Sequence, residues 1–233
     1  MKSQFEPNGS PRVAGWRWLD LYKLSSKYAG WAGSFVDRVV YCTAQLNDPQ
    51  SPQSTTNQIH YISALRATGV TVEMGRYVSR AKEMVMTDST PGSHSPTPLN
   101  DPLQNFTWNF GPASAVLRRR NQDGLMFARV RTREEKGSDV NVAAHLLNDT
   151  LSNKIDAAIV ITNDSDLALP LELARQHIPV GLINPQARPL AGQLMGSPTT
   201  GAGRHWWRRL APQDVQSSQL QAQVGQIRKP SAW

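Results

Sequence analysis

The most constraining segment of the chain is residues 157–162, which read AAIVIT. An uncharged run that ends in β-branched residues is typical of a strand covered on both faces, as in a parallel sheet. The polar tetrapeptide NDSD follows at residues 163–166, and apolar residues then recur at helical spacing up to residue 174. The segment therefore predicts a strand, a polar turn and a helix within an α/β fold.

Two carboxylates, Asp164 and Asp166, lie where the predicted strand ends and the next helix begins. Open α/β sheets bind their ligands at the carboxyl ends of strands, so both are candidate site residues. A third candidate is Asp139, in the first turn of a helix that Ser138 is predicted to cap. These three aspartates predict one acidic cluster at the edge of the sheet. The alternative is that each carboxylate merely favours a turn or the start of a helix.

Clustered carboxylates repel one another unless a cation is present, and a set of oxygen ligands favours Mg²⁺ or Mn²⁺. Two neighbours of the aspartates, Asn163 and Ser165, are expected to orient them through hydrogen bonds. Lys136 precedes the helix that carries Asp139 and is a candidate ligand for a phosphate or another anion. The predicted centre is thus a metal site with a cationic neighbour.

Three arginines, Arg129, Arg131 and Arg133, occupy alternate positions in and just after a predicted strand at residues 125–132. Alternate residues of a strand share one face. Such a row can follow a nucleic-acid backbone, but it can equally be a solvated basic edge.

Upstream, residues 36–44 and 70–74 read as strands that flank a helix beginning near Ser54 and ending at Gly69. A strand–helix–strand unit is the building block of a parallel sheet. Both segments therefore favour the same fold class as residues 157–174.

The composition suits one domain with irregular extensions, since 233 residues contain 39% hydrophobic residues. A formal charge of +7 helps a protein to approach a polyanion. The single cysteine, Cys42, excludes internal disulfides, and we expect it to pack in a strand. No apolar run reaches the length of a membrane span and the N-terminus does not resemble a signal peptide, so we expect a cytoplasmic protein without membrane contact.

Changes in composition suggest boundaries along the chain. We expect residues 1–15 to be disordered and residues 16–186 to form the α/β domain, with a mobile insertion rich in Ser, Thr and Pro at residues 87–103. Residues 187–233 read as a basic C-terminal extension. Within it, RHWWRR at residues 204–209 is either a base-stacking surface or a segment whose tryptophans pack back on the domain.

The blocks EEKGSDVNVAAHLL at residues 134–147 and DAAIVITNDSDLALP at residues 156–170 resemble the NYN domain. This family belongs to the PIN-like nuclease superfamily and includes LabA-type bacterial proteins. The resemblance implies a Rossmann-like parallel sheet flanked by helices, with Asp139, Asp164 and Asp166 in a metal site. Family members usually begin with a central strand that ends in an Asp-Gly-x-Asn-like motif. No such strand precedes Trp16, so it and its aspartate either lie upstream or are lost.

These observations lead to three functional hypotheses. The first is metal-dependent phosphodiester hydrolysis by an RNA nuclease. The second is an inactive module that binds RNA or metal. The third follows from proteins that share the KGSDVN and NDSD blocks and are named 6-hydroxy-3-succinoylpyridine hydroxylase, a monooxygenase of bacterial nicotine degradation. It implies NADH, with or without flavin, and an aromatic acid as substrate, although no motif for dinucleotide, haem or non-haem iron is visible.

Overall fold

The computed structural model describes residues 15–46, 51–87, 98, 117–119, 125–231 and 233. The chain divides into two compact units. The first unit joins residues 1–76 to residues 135–233, and the second comprises residues 77–134. Both boundaries fall inside long strands, so each unit is described separately.

The described elements include α-helices that connect parallel strands, as expected for an α/β protein. In order they are α1 (Leu21–Tyr28), β1 (Val40–Ala44), α2 (Pro52–Ala67), β2 (Thr71–Val85), β3 (Leu117–Arg119), β4 (Met126–Lys136), α3 (Ser138–Leu151), β5 (Ala158–Ile161), α4 (Ala168–Arg175), β6 (Val180–Asn184), β7 (Trp206–Arg209), α5 (Pro212–Ser217), β8 (Gln223–Val224) and β9 (Ile227–Arg228). None of the helices in these described ranges has the length and apolar character needed to cross a membrane.

Parallel strand pairs dominate the first unit. Strands β5, β6 and β7 form a three-stranded parallel sheet in that order, and β1 pairs in parallel with the first residues of β2. The predicted α/β fold with a parallel sheet is therefore confirmed. The helix between β1 and β2 begins at Pro52, which suits the first turn of a helix because its missing N–H needs no partner there.

The three-stranded sheet is covered by helices on both faces. One face turns Val160, Val180 and Leu182 toward α3 and α4, where Leu146 and Leu171 complete a hydrophobic cluster. The opposite face turns Ile159, Ile161 and Ile183 toward α1 and α5. Side chains alternate between the two faces along each strand, which explains why residues 157–162 are apolar throughout.

The segment predicted as a C-terminal extension completes this sheet. Trp206 in β7 aligns with Gly181 in β6, and its ring lies 6.5 Å from that of Tyr28 and 5.6 Å from that of Trp31, measured between centroids. Of the two alternatives for residues 204–209, packing on the domain is the one observed for Trp206, while Trp207 stays 46% exposed. The first unit therefore continues well beyond residue 186.

Strands β1 and β5 each lie at the edge of their own sheet. No strand among the described residues pairs with the outer edge of either. Leu21 of α1 packs against the cluster that contains Ile159 and also against the cluster that contains Tyr41. Helix α1 therefore connects the β5–β6–β7 sheet to the β1–β2 pair through apolar contacts.

The second unit consists of the rest of β2, β3 and most of β4. The predicted strand at residues 125–132 is present and continues to Lys136. Strand β2 extends to Val85, although the sequence shows no strand pattern after residue 79. The pattern is missing because most side chains on both faces of the strand are exposed there. The insertion expected to be mobile at residues 87–103 lies outside the described residues except for Thr87 and Pro98, which form an isolated bridge. Residues 1–14 also lie outside them.

Replacing Gly181 by alanine should destabilise the first unit. A Cβ atom at this position would lie 2.2 Å from Cζ2 of Trp206, so the ring or the strand would have to move. We expect a loss of about 1–3 kcal/mol in the free energy of unfolding, measured by urea denaturation. The matched control is Gly192→Ala, whose Cβ would meet no atom within 4 Å. If both variants unfolded at the same urea concentration as the parent, the packing of Trp206 on Gly181 would not be a stabilising contact.

Candidate functional site

Asp164 and Asp166 lie in the turn that follows β5. Asp164 has an extended backbone and caps a short 3₁₀ helix, Ser165–Leu167, by accepting a hydrogen bond of 3.0 Å from the Asp166 N–H. The Asp164 N–H in turn donates to Thr162 Oγ1 at 3.0 Å. Leu167 is buried in the core and anchors the turn. Both carboxylates are therefore held at the end of the strand and remain exposed.

Asp139 lies in the first turn of α3, as predicted, but the helix cap differs by one residue. The capping position is Gly137, which has a left-handed backbone with φ of 103° that glycine adopts without strain. Ser138 is the first helical residue, so its predicted role as the cap is wrong. Its hydroxyl donates a hydrogen bond to the carboxylate of Glu135.

The structure brings the charge of Asp139 within reach of the other two aspartates. Partial burial is the largest cause that raises the pKa of Asp139, followed by the negative charges of Asp164, Glu135 and Asp166. Glu135 was not predicted as part of this acidic cluster. Its position four residues before Asp139, across a turn containing glycine, is the only signal in the sequence.

No group of three or more His, Cys, Asp or Glu side chains within the described ranges is arranged to hold a metal ion directly. The acidic cluster at the end of β5 is thus defined by electrostatic proximity rather than by a closed set of ligands. Mg²⁺ usually keeps several waters and binds to one or two protein carboxylates. The donor set of Asp139, Asp164 and Asp166 fits such a water-rich ion.

The other predicted site residues have varied roles. Asn163 is buried and does not orient the aspartates; its amide donates to the Pro189 carbonyl at 3.1 Å, and its oxygen accepts from the Ala191 N–H at 2.8 Å. The hydroxyl of Ser165 has no hydrogen-bond partner in the described part of the chain, so it does not orient them either. Lys136 ends β4, one residue before Gly137 and thus close in sequence to Asp139.

A cleft of about 330 Å³ opens beside Asp164. It is lined by Asn163, Asp164, Ser165, Arg188, Pro189 and Ala191. Asn184, at the end of β6, holds the far wall of the cleft by donating to the Arg188 carbonyl at 2.9 Å. Arg188 was not predicted, because its place beside Asp164 depends on how residues 185–191 fold back over the end of β5. It supplies a cation in the same cleft as Asp164.

Cys42 and His145 lie where α3 packs against β1. Burial, Glu73 and Asp139 raise the pKa of the Cys42 thiol to about 11, which keeps it protonated at neutral pH. His145 accepts a hydrogen bond from Arg38 at its Nδ1 atom, 3.3 Å away, and its Nε2 atom lies 3.3 Å from Glu73 Oε1. These contacts attach α3 to the β1–β2 pair. Neither residue lines the cleft beside Asp164.

The fold and site define an α/β protein with an acidic cluster at the carboxyl end of a parallel strand. No family model matches the chain, and no solved structure matches it. One curated protein that resembles it is 6-hydroxy-3-succinoylpyridine 3-monooxygenase HspA from Pseudomonas putida. The two are 32% identical over 91 residues, which cover 38% of this chain and 27% of HspA. The chain thus matches about a quarter of the length of that relative.

Neutralising Asp164 should lower the pKa of Asp139. The Asp164→Asn variant removes a negative charge that favours the protonated form of Asp139, so its carboxyl group should ionise at lower pH. A ¹³C NMR titration of the Asp139 carboxyl would measure the change. The control is Asp156→Asn, an exposed carboxylate that does not contribute to the shift. An unchanged pKa in Asp164→Asn would show that the two carboxylates do not interact.

Proposed function

We propose that this protein is a divalent-metal-dependent nuclease that acts on RNA. The observation that carries the proposal is that the negative charges of Asp164 and Asp166, at the end of β5, contribute to raising the pKa of Asp139. A bound cation favours the ionised form of a carboxyl group that lies near other negative charges, as Asp139 does. The net charge of +7 and the resemblance of residues 134–170 to the NYN domain also favour a nucleic-acid substrate.

In this proposal the three aspartates hold Mg²⁺ or Mn²⁺, in part through water. When bound, the ion lowers the pKa of a coordinated water and neutralises charge that builds up on the phosphoryl group. Asp164 keeps its orientation because one of its oxygens caps the 3₁₀ helix. Its other oxygen remains available to the ion or to a metal-bound water.

Arg188 is proposed to hold a phosphate of the substrate. Its guanidinium group donates to the side chain of Gln186, and the residue lines the same cleft as Asp164. The bonds from Asn163 and Asn184 fix the loop that carries it. A planar guanidinium group with several donors suits phosphate oxygens better than an ammonium group does. A role for Lys136 as a second anion contact is also part of the proposal.

The proposal predicts Mn²⁺- or Mg²⁺-dependent cleavage of a labelled RNA by the purified protein. Asp139→Asn and Asp164→Asn should each reduce the rate by about 10²-fold or more, because each removes charge from the metal site. Asp156→Asn is the matched control, with the same chemical change at an exposed position outside the cluster. Cleavage that survives both site substitutions would contradict the proposal.

Metal binding without cleavage would instead support the inactive binding module. A ligand that binds the folded state stabilises it, so Mg²⁺ should raise the melting temperature of the parent protein and raise it less in Asp164→Asn, which lacks one of the proposed ligands. A parent protein that takes up the ion and RNA but releases no product would meet this description. An unchanged melting temperature together with no cleavage would argue against both metal hypotheses.

The partial similarity to HspA favours a second candidate, an NADH-dependent hydroxylase of a pyridine acid. The reaction would need NADH, with or without flavin. The cleft beside Asp164 lies at the strand ends, where such sheets bind nucleotides. We expect, under this alternative, that the purified protein oxidises NADH only when 6-hydroxy-3-succinoylpyridine is added. An absorbance spectrum would reveal any bound flavin. No NADH oxidation in the presence of added flavin would eliminate the candidate.

A further inference from the structure

The second unit contains a two-stranded ribbon formed by β2 and β4. The Met86 N–H donates to the Met126 carbonyl at 2.9 Å, and Thr132 Oγ1 donates to the Arg80 carbonyl at 3.3 Å. Residue numbers rise along one strand as they fall along the other, so the strands are antiparallel. The ribbon therefore has two distinct faces whose residues follow from this register.

One face, here called the arginine face, carries Arg129, Arg131 and Arg133. All three side chains are exposed, while the residues between them in β4 are half-buried. The register places the small residues Ala81 and Ser79 opposite Arg131 and Arg133. Arg129 lies opposite Glu83 at the far end. Among the described residues, the guanidinium groups of Arg129 and Arg131 have no ion-pair partner.

Arg133 is held by an aromatic ring on the same face. Its guanidinium carbon lies 4.4 Å from the centroid of the Tyr77 ring. A guanidinium group stacked on a ring keeps its N–H donors at the rim of the stack, where they can still bind phosphate oxygens. The arginine face therefore combines charge with one flat surface.

The opposite face of the ribbon differs in character. There Lys82 pairs with Glu134, which neutralises its charge. Thr132 also lies on this face and binds the Arg80 carbonyl. In the second unit the arginine face thus carries three arginines against one glutamate, Glu83, whereas the opposite face carries Arg80 and Lys82 against Glu134.

We propose that the arginine face binds the sugar–phosphate backbone of single-stranded RNA. Alternate residues of a strand are about 6.8 Å apart, which is comparable to the distance between successive phosphates of an extended strand. Three arginines at this spacing can contact consecutive phosphates, while Tyr77 offers a ring on which a base can stack. The choice of RNA as the polyanion rests on the proposed nuclease function; the basic face itself does not.

Fluorescence anisotropy with a labelled single-stranded RNA tests the proposal. Full-length protein carrying Asp164→Asn serves as the parent, so that cleavage does not interfere. Adding Arg129→Gln, Arg131→Gln and Arg133→Gln should weaken binding at least about tenfold, and the slope of log K against log salt should fall by about two. The matched control changes Arg76, Arg80 and Lys82 to Gln, which removes the same charge from β2 at positions whose register places them on the opposite face. It should weaken binding much less.

Equal weakening in the two triple variants would overturn the proposal, because binding would then depend on net charge alone. Unchanged RNA binding in the arginine variant would also overturn it. Vesicles of phosphatidylcholine and phosphatidylglycerol test an anionic membrane surface instead. If the arginine variant lost binding to these vesicles but kept binding to RNA, the proposal would likewise be overturned. A thermal melt of each variant checks that the protein remains folded. If RNA binding follows the arginine face but the protein with Asp164 restored cleaves nothing, the surface is upheld and the nuclease proposal fails.

Tyr77 separates stacking from charge. Tyr77→Ala should weaken RNA binding severalfold with little change in the salt slope, while Tyr77→Phe, which keeps the ring, should bind like the parent. A Tyr77→Ala variant that binds RNA normally would remove the base-stacking part of the proposal.

Discussion

The burial of β6 is the constraint on which the rest of the first unit depends. All five residues of the strand are buried, with β5 and β7 hydrogen-bonded at its two edges and helices over both faces. A strand in this position has almost no freedom to shift its register, because a shift by one residue would move every side chain to the other face. The ends of β5 and β6 are therefore fixed points, and the candidate site is built from the residues that follow them.

Two buried asparagines convert this rigid core into a shaped cleft. Asn163 and Asn184 follow or end adjacent strands, and their amides bind backbone groups of residues 186–191. Burying an amide group costs free energy unless the group is hydrogen-bonded. The bonds between the two asparagine side chains and the backbone of the loop therefore stabilise one loop geometry. The same loop carries Arg188 to the side of Asp164. Repulsion among Asp139, Asp164 and Glu135 opposes folding. The burial of apolar side chains in the neighbouring core offsets this repulsion.

Features that depend on local chemistry or on complete burial could be predicted from the sequence, whereas features that depend on the path of loops could not. The apolar run of β5 and the three aspartates were recognisable, because a strand covered on both faces is apolar throughout and its end is polar. Arg188 and Glu135 were missed, since their proximity to the aspartates arises from loops rather than from periodic spacing. The length of β2 was also missed: both faces beyond residue 79 are largely exposed, so no alternation of apolar and polar residues marks the strand.

Two segments with alternating basic or aromatic residues show why such a pattern predicts a strand but not its role. In β7, Trp206 turns toward Tyr28 and the core, and Arg208 lies over its ring at 5.4 Å. In β4, the alternate positions that carry arginine remain exposed. The difference comes from the neighbouring strand: β7 pairs with the buried β6, whose Gly181 leaves room for the indole, whereas β4 pairs with a β2 segment that is itself exposed. The alternating pattern therefore predicts a strand, and the neighbouring strand decides whether its aromatic or basic side chains are covered or exposed.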